Sequence, residues 1–354
     1  MKRLGCGDHE GYPMGNSRQR LQLGALTWEL KAASDLWTGD IDGKSSGLVT
    51  TGLLGSIRWW FEVLVRGLGG SACDPSAKGK NCQDRKHCVV CELFGCTGWA
   101  RKFRFDVLSA KDEVQRDPIK KGQAFKLRFT PLRAIQPQEW ALLDLSLSLI
   151  AGYGAIGGKT VYKPSDEEGR QGKAHHQDFG LIEITTRPGG VPACSEQELK
   201  EYLRKGWSPV NQQRFAWASL ANFWCVQERY LTRQRKEKSS FNAVLGREEL
   251  KRDGQKLVTQ KDKKEEKNGA KEPETSSKWL AGETGVSKKV FSFKQPARTF
   301  GFVNGSKNKG SALTLEFEVM KKRLKKEWPT MNSSDYATGS AILDKLLEAA
   351  ESSL

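Results

Sequence analysis

TTGLLGSIRWWFEVLVRGLGG (residues 50–70), then four spaced cysteines, then CELFGCTGWARKFRF (91–105): the reading of this stretch decides the rest of the chain. Leu53, Ile57, Trp60, Phe61, Leu64 and Leu68 recur every three or four residues, which places them on one side of a helix and predicts an apolar stripe facing a core. Arg58, Glu62 and Arg66 fall on the other side at i, i+4, i+8, where opposite charges support one another weakly. Thr50 or Thr51 is the expected N-cap, and Gly67, Gly69 and Gly70 end the helix. Backbone N–H groups at a start loosened by Gly52 and Gly55, with Arg58 one turn in, form a candidate phosphate seat.

Cys73, Cys82, Cys88 and Cys91 are separated by eight, five and two residues. Zinc takes four soft ligands at the corners of a tetrahedron, and a CxxC pair supplies two from one tight turn. The loop from Gly70 to Leu93 has little apolar content, so a structural Zn2+ is the expected organiser. Cys96 and His87 stand by as alternative ligands, and reduced, unligated thiols are the competing reading. A catalytic zinc is disfavoured, because such sites draw on His and carboxylates and keep one position open. Of the eight cysteines, five lie between 73 and 96, which fits metal binding in a reducing compartment better than a disulfide framework.

The chain of 354 residues has room for two domains. Its 58 Lys and Arg against 42 acids give a net charge of +16 and a pI near 9.4. That excess points to a polyanionic partner, nucleic acid before membrane. With no signal peptide and no apolar run of 18 residues, the expectation is a soluble, cytoplasmic protein.

Around the central helix the pattern falls into an order. Residues 1–20 are expected to be loosely held. Leu21 to Ala33 reads as a first strand, Trp99 to Asp106 as a second, Phe125 to Leu132 as a third, Trp140 to Tyr153 as a second helix and Phe179 to Thr186 as a fourth strand. This β-α-β-β-α-β succession is that of an α+β, ferredoxin-like (RRM-like) domain over 21–187, carrying the cysteine-rich loop 71–98. In the second strand Lys102 and Arg104 would face one way and Arg101, Phe103 and Phe105 the other, so that Trp99, Arg101, Lys102 and Arg104 could reach RNA by phosphate contacts and stacking. Residues 188–354 are read as a second, degenerate domain of the same class. It would comprise helices at Glu196–Lys205 and Asn211–Tyr230 and a flexible charged loop at 251–278. Two strands around a basic glycine-rich turn at 290–319 and a closing helix at 341–350 would complete it.

Three clusters could carry chemistry. Asp40 and Asp42, in the glycine-rich loop LWTGDIDGK (36–44), could hold a divalent metal or cap turns. GAIGGKTVYKP (154–164) offers Lys159 and Lys163 but lacks Walker spacing, which argues against a nucleotide hydrolase. His175 and His176 sit near Asp178 and could act as acid–base groups or contact RNA.

Together, LWTGDIDGK, TGLLGSIRWWFEVLVRGLGG, the Cys73–Asp74 pair, CxxCxLFGCTGWARKF (88–103), GAIGGKT (154–160) and HHQDFG (175–180) resemble the RAMP proteins of CRISPR effector complexes. The likeness is strongest to the first RAMP subunit of the type III-B, or Cmr, complex, and TFGFVNG with SALTLEFE extends it toward the C-terminus. The resemblance implies tandem ferredoxin-like domains, a structural zinc, and guide (CRISPR) RNA, target single-stranded RNA and other RAMP subunits as partners. It implies a non-enzymatic place near the 3′ side of the guide. Its RNA-binding residues would come from Lys44, Gly52, Gly55, Arg58, Trp99, Arg101, Lys102, Arg104, Lys159, Lys163, His175 and His176. In backbone RAMP subunits that cut RNA an aspartate precedes the helix, and Asp42 falls close to that place. Here Leu54 stands where those subunits often carry lysine, and a glycine follows Asp42, so binding without turnover is expected. An endoribonuclease using Asp40 and Asp42 is the runner-up, and a general single-strand RNA-binding protein a third reading.

Overall fold

The structure is a computed structural model. It describes residues 24–40, 43–74, 82–84, 86–158, 164–208, 210, 213–235, 238–246, 251–253, 256–258, 276–282, 287–304 and 315–352. The segment 1–20 and residues 259–275 of the charged stretch 251–278 lie outside the described residues.

The first domain is built from β1 (Leu26–Ala32), α1 (Thr50–Gly67), α2 (Val89–Phe94), β2 (Phe103–Ser109), β3 (Ala124–Pro131), α3 (Pro137–Tyr153) and β4 (Ile182–Thr186). Its antiparallel sheet runs β2-β3-β1-β4, the ferredoxin-like order. Alternation along β1 and β3 sends Trp28, Leu30, Phe125, Leu127 and Phe129 to one face. There α1 and α3 cover them with Ile57, Phe61, Leu64, Trp140 and Leu147. The Trp28 indole N–H donates to Asp144 Oδ1 of α3 at 2.8 Å, so a buried carboxylate and a buried indole satisfy each other. Helix α1 starts on Val49, with no side-chain cap from Thr50 or Thr51. Instead the Thr38 hydroxyl accepts the Val49 N–H at 2.8 Å.

Strand β2 begins at Phe103 rather than Trp99. Cys96 and Trp99 exchange backbone hydrogen bonds in a tight turn, and the Lys102 N–H goes to Leu93 O, which keeps residues 96–102 out of the sheet.

The second domain repeats the topology. Its strands are β5 (Phe223–Gln227), β10 (Val290–Lys294), β11 (Ala297–Phe302) and β12 (Tyr336–Thr338), ordered β10-β11-β5-β12. Two short hairpins stand between β5 and β10: β6 (Arg233–Arg235) with β7 (Lys238–Ser239), and β8 (Lys251–Asp253) with β9 (Lys256–Val258). Three sequence expectations are corrected here. The aromatic run expected as a helix over Asn211–Tyr230 contains β5, because Phe223, Trp224, Cys225 and Val226 are all buried and paired on both sides; such a run is ambiguous between helix and strand. The hairpin of 290–319 turns at Gln295–Pro296, not in the glycine-rich segment, and Phe317–Glu327 is helical rather than a strand. Helix α4 (Glu196–Arg204), capped by Ser195, forms as expected but docks on the first domain, where Tyr202 donates to Glu139 Oε1 at 2.9 Å.

The two domains share a core. Trp60 of α1 meets Phe223 and Phe300 edge-on at 5.7 and 5.8 Å, and Trp59 meets Phe302 at 5.8 Å. Arg298 of β11 donates to Gly154 O and Ala151 O at 2.8 and 3.0 Å, closing the carbonyl end of α3.

Candidate metal centre and nucleic-acid interface

Cys73, Cys82, Cys88 and Cys91 are buried, and their sulfurs lie within 4.8 Å of one another. No disulfide joins them. Cys88 is the N-cap of α2, and Cys91 lies one turn in, so the first helical turn presents both sulfurs to the same point. The Cys73 and Cys91 sulfurs are 3.4 Å apart. A tetrahedron with metal–sulfur bonds of about 2.3 Å has edges of roughly 3.8 Å. Four thiols at that spacing fit a divalent soft metal. Hydrogen bonds among the sulfurs divide their acidity: Cys88 and Cys82 are pushed down, Cys82 to about 7, while Cys73 and Cys91 are pushed up. Cys96 is only half-buried and outside the group. His87 turns its ring away, to Asp84 O and Glu92.

The charged face of α1 serves this cluster. Arg58 donates to Cys91 Sγ at 3.2 Å, to Cys73 Sγ at 3.8 Å, to Gly95 O at 3.0 Å and to Glu62 at 3.1 Å. Glu62 also pairs with Arg66 at 3.3 Å, and both are buried. Burial works against the Arg58 charge, but Cys91 and Glu62 outweigh it, and its pKa lies above the ordinary guanidinium value. Arg58, expected as a phosphate seat, is instead engaged with the Cys73 and Cys91 sulfurs. Lys102 is corrected likewise. It is buried, with its ammonium 2.6 Å from Glu92 and 2.9 Å from Glu139. The strand that would have turned Lys102 outward starts one residue later. Trp99 lies between the His87 ring at 4.6 Å and the Arg133 guanidinium at 4.3 Å, so its faces are covered. Arg101 is half-buried beside it, and Arg104 is exposed on β2, 2.9 Å from Asp106.

The open face of the first sheet is polar. Lys126 pairs with Glu29 and Asp112, and Arg128 with Asp112. This differs from the aromatic face with which RRM domains stack bases.

A second group of motifs gathers at the other end of α1. The Gly157 N–H donates to Ser56 Oγ at 3.0 Å, and the Gly158 N–H to Trp37 O at 2.8 Å. Trp37 meets Phe179 edge-on at 5.2 Å, and the Ile156 N–H reaches Gly180 O at 2.8 Å. Gly180 has φ +85, and a Cβ there would lie 1.9 Å from Ile156 O, so only glycine fits. The loop of residues 36–44, the start of α1, GAIGG and HHQDFG therefore converge. Gly52 and Gly55 are exposed, as are Lys44 and His175. The His175 and His176 rings are 4.1 Å apart; desolvation, then the His176, Lys173 and Arg170 charges, lower the His175 pKa. Asp178 faces away from them, accepting the N–H groups of Lys294 and Gln295. Asp40 closes its own turn, its carboxylate accepting from Lys44 N at 2.7 Å and Ser46 Oγ at 2.8 Å. Asp42, Lys159 and Lys163 lie outside the described residues.

Between this loop cluster and the second domain opens a cleft of about 470 Å³. Gly52, Ser56 and Gly157 form one side, and Trp59, Trp217, Phe291 and Phe300 are among its walls. Sequence reading singled out none of these aromatics as a binding group. Only the half-exposure of Trp59 and Trp217 distinguishes them, and no periodicity signals it.

Among the described residues, no helix is long and apolar enough to cross a membrane. No curated protein matches the sequence. Among solved structures, the chain is similar to Cmr1 from Pyrococcus furiosus in its apo form, with 10% identity and a TM-score of 0.42 over 89% of this chain and 98% of that one. It is also similar to the Csm3-Csm4 subcomplex of the type III-A CRISPR-Cas interference complex, with 14% identity and a TM-score of 0.26 over 53% of this chain and 100% of that one. The RAMP superfamily model matches residues 29–162, the span that holds α1, the cysteine cluster and the glycine loop.

Proposed function

We propose that this chain is an RNA-binding RAMP subunit of a type III-B (Cmr) CRISPR effector complex. It contacts guide and target RNA near the 3′ side of the guide and performs no catalysis of its own. The observation that carries the reading is the convergence of four loops on the start of α1, beside an aromatic cleft, in a chain of net charge +16. Backbone N–H groups at a helix start favour phosphate, and half-exposed rings favour unstacked bases. Lys44, Gly52, Gly55, His175 and His176 lie at that end, with Lys159 and Lys163 in the adjoining sequence. Arg101 and Arg104 belong to a separate, peripheral patch. Zn2+ is the metal that four cysteinates suit best; it would tie the cysteine loop to α1 and α2. The partners are neighbouring RAMP subunits and RNA, in the cytoplasm, with 21–187 and 188–354 as the two domains.

The nuclease alternative loses support from Asp40, whose carboxylate closes its own turn. Titration of the purified protein with labelled single-stranded RNA across a salt series tests the proposal, with cleavage read from the same samples. Several phosphate contacts predict that log K falls with log salt at about −0.7 per contact for a single strand, with the RNA left intact. Metal-dependent cutting abolished by Asp42→Ala would establish the nuclease instead.

A further inference from the structure

We infer that the interdomain cleft is a base-stacking slot, holding one or two unpaired nucleobases of the bound RNA between Trp59 and Trp217; this rests on the RNA-binding reading above. The walls come from different domains. Trp59 projects from α1 and packs edge-on against Trp60 at 5.0 Å and Phe302 at 5.8 Å. Trp217 packs edge-on against Phe302 at 5.3 Å and Trp279 at 6.3 Å. These perpendicular contacts fix the plane of each indole while leaving it half-exposed; the Lys289 ammonium lies over the Trp217 ring at 4.8 Å, so a base would stack on the opposite face. Phe291 and Phe300, stacked at 4.9 Å, and Trp60 lie deeper. A cleft of about 470 Å³ walled by aromatic rings has the size and lining of a pocket for a small planar ligand.

The charge and the rim select the ligand. One side of the cleft is the first two turns of α1, with Gly52 and Ser56, and no acidic side chain stands in the first turn. The helix dipole there is positive. A neutral planar group inside and an anion at the rim describe a nucleotide in a strand better than an apolar peptide side chain. The slot is indifferent to base identity, since every base has a π-face.

The test compares a twelve-nucleotide polyadenosine with the same ribose-phosphate oligomer carrying abasic residues throughout. Wild-type protein is expected to bind the base-bearing oligomer about five- to a hundredfold more tightly, the range stacking supplies, with quenching of tryptophan emission by that oligomer only. Trp59→Leu, which keeps apolar bulk against Phe302, and Trp217→Leu should each cut this preference toward unity while binding to the abasic oligomer stays unchanged. Trp59→Phe should retain it, which separates a stacking role from damage to the fold. A wild-type protein that binds both oligomers equally, or leucine variants with undiminished preference, overturns the slot while leaving RNA binding standing, and an apolar protein segment becomes the occupant to pursue. Failure to bind either oligomer overturns both readings.

Discussion

Replacing Arg58 by methionine separates the metal centre from the RNA surface. Methionine keeps the stem that packs along α1 but removes the guanidinium that reaches Cys91 Sγ at 3.2 Å and Cys73 Sγ at 3.8 Å. At 3.2 Å and an effective dielectric of about 20, opposite unit charges attract by about 5 kcal/mol. Desolvating both groups cancels much of this, leaving the ~1.5–3 kcal/mol of a hydrogen bond to a charged group. At 1.4 kcal/mol per decade that is roughly a ten- to hundredfold loss in metal affinity, the size seen when outer-shell partners of metal ligands are removed. The charge count agrees. Four thiolates around a divalent ion carry two net negative charges in a buried site, and Arg58 is the side-chain cation hydrogen-bonded to two of the four sulfurs. Competition for Zn2+ against a chromogenic chelator measures the loss, and Co2+ loading reports the tetrathiolate by its charge-transfer bands. Arg104→Ala, on the exposed side of β2, serves as the control and should change nothing in either assay. Undiminished metal affinity in Arg58→Met, with RNA binding weakened instead, would refute the reasoning and return Arg58 to phosphate.

Other outcomes follow from the same contacts. Wild-type protein should carry about one zinc per chain by elemental analysis, and Cys88→Ser with Cys91→Ser should abolish it and lower the thermal midpoint, since site formation and folding are linked. Lys102→Met strands the fully buried Glu139 and should cost about 3–5 kcal/mol in denaturant unfolding, with much of it recovered when Glu139→Gln is added. Burial raises the Glu139 pKa despite Lys102. Its contribution to stability is therefore full below the ordinary carboxylate range and lost as pH rises through the folded value, and Glu139→Gln should flatten that limb of a melting profile against pH. Gly180→Ala drives a Cβ to 1.9 Å from Ile156 O; RNA affinity should fall as the loop cluster shifts, with zinc content unchanged.

The first domain was legible because its signals are local. Alternation in FKLRFTPL and the three–four spacing of Leu53, Ile57 and Phe61 each report a single element, and the sheet order then follows from the succession. The CxxC spacing likewise announced a cysteine cluster, and Cys73 joins Cys82, Cys88 and Cys91 through chain reversal after α1. What could not be read was the orientation of charge. Arg58, Glu62 and Arg66 carry the pattern of a solvated helix face, but segments distant in sequence cover it: Arg58 reaches the Cys73 and Cys91 sulfurs, and Arg66 donates to Ala218 O. Lys102 looked like a phosphate ligand because Glu139, its partner, lies 37 residues away. The second domain hid its first strand because FWCVQ is covered on both faces and so shows no period of two.

Both sheets share one strand order, and in both the added material sits in the same connection, between the first strand and the second. In one copy it is the cysteine loop after α1; in the other it is the pair of hairpins between β5 and β10. The hairpin joining second to third strand closes within Gln295 and Pro296 in the later copy, and the first and fourth strands are held by pairing, so the crossover was the place where the chain could lengthen without disturbing a ladder. One domain carries the cysteine cluster in that connection, the other the two short hairpins.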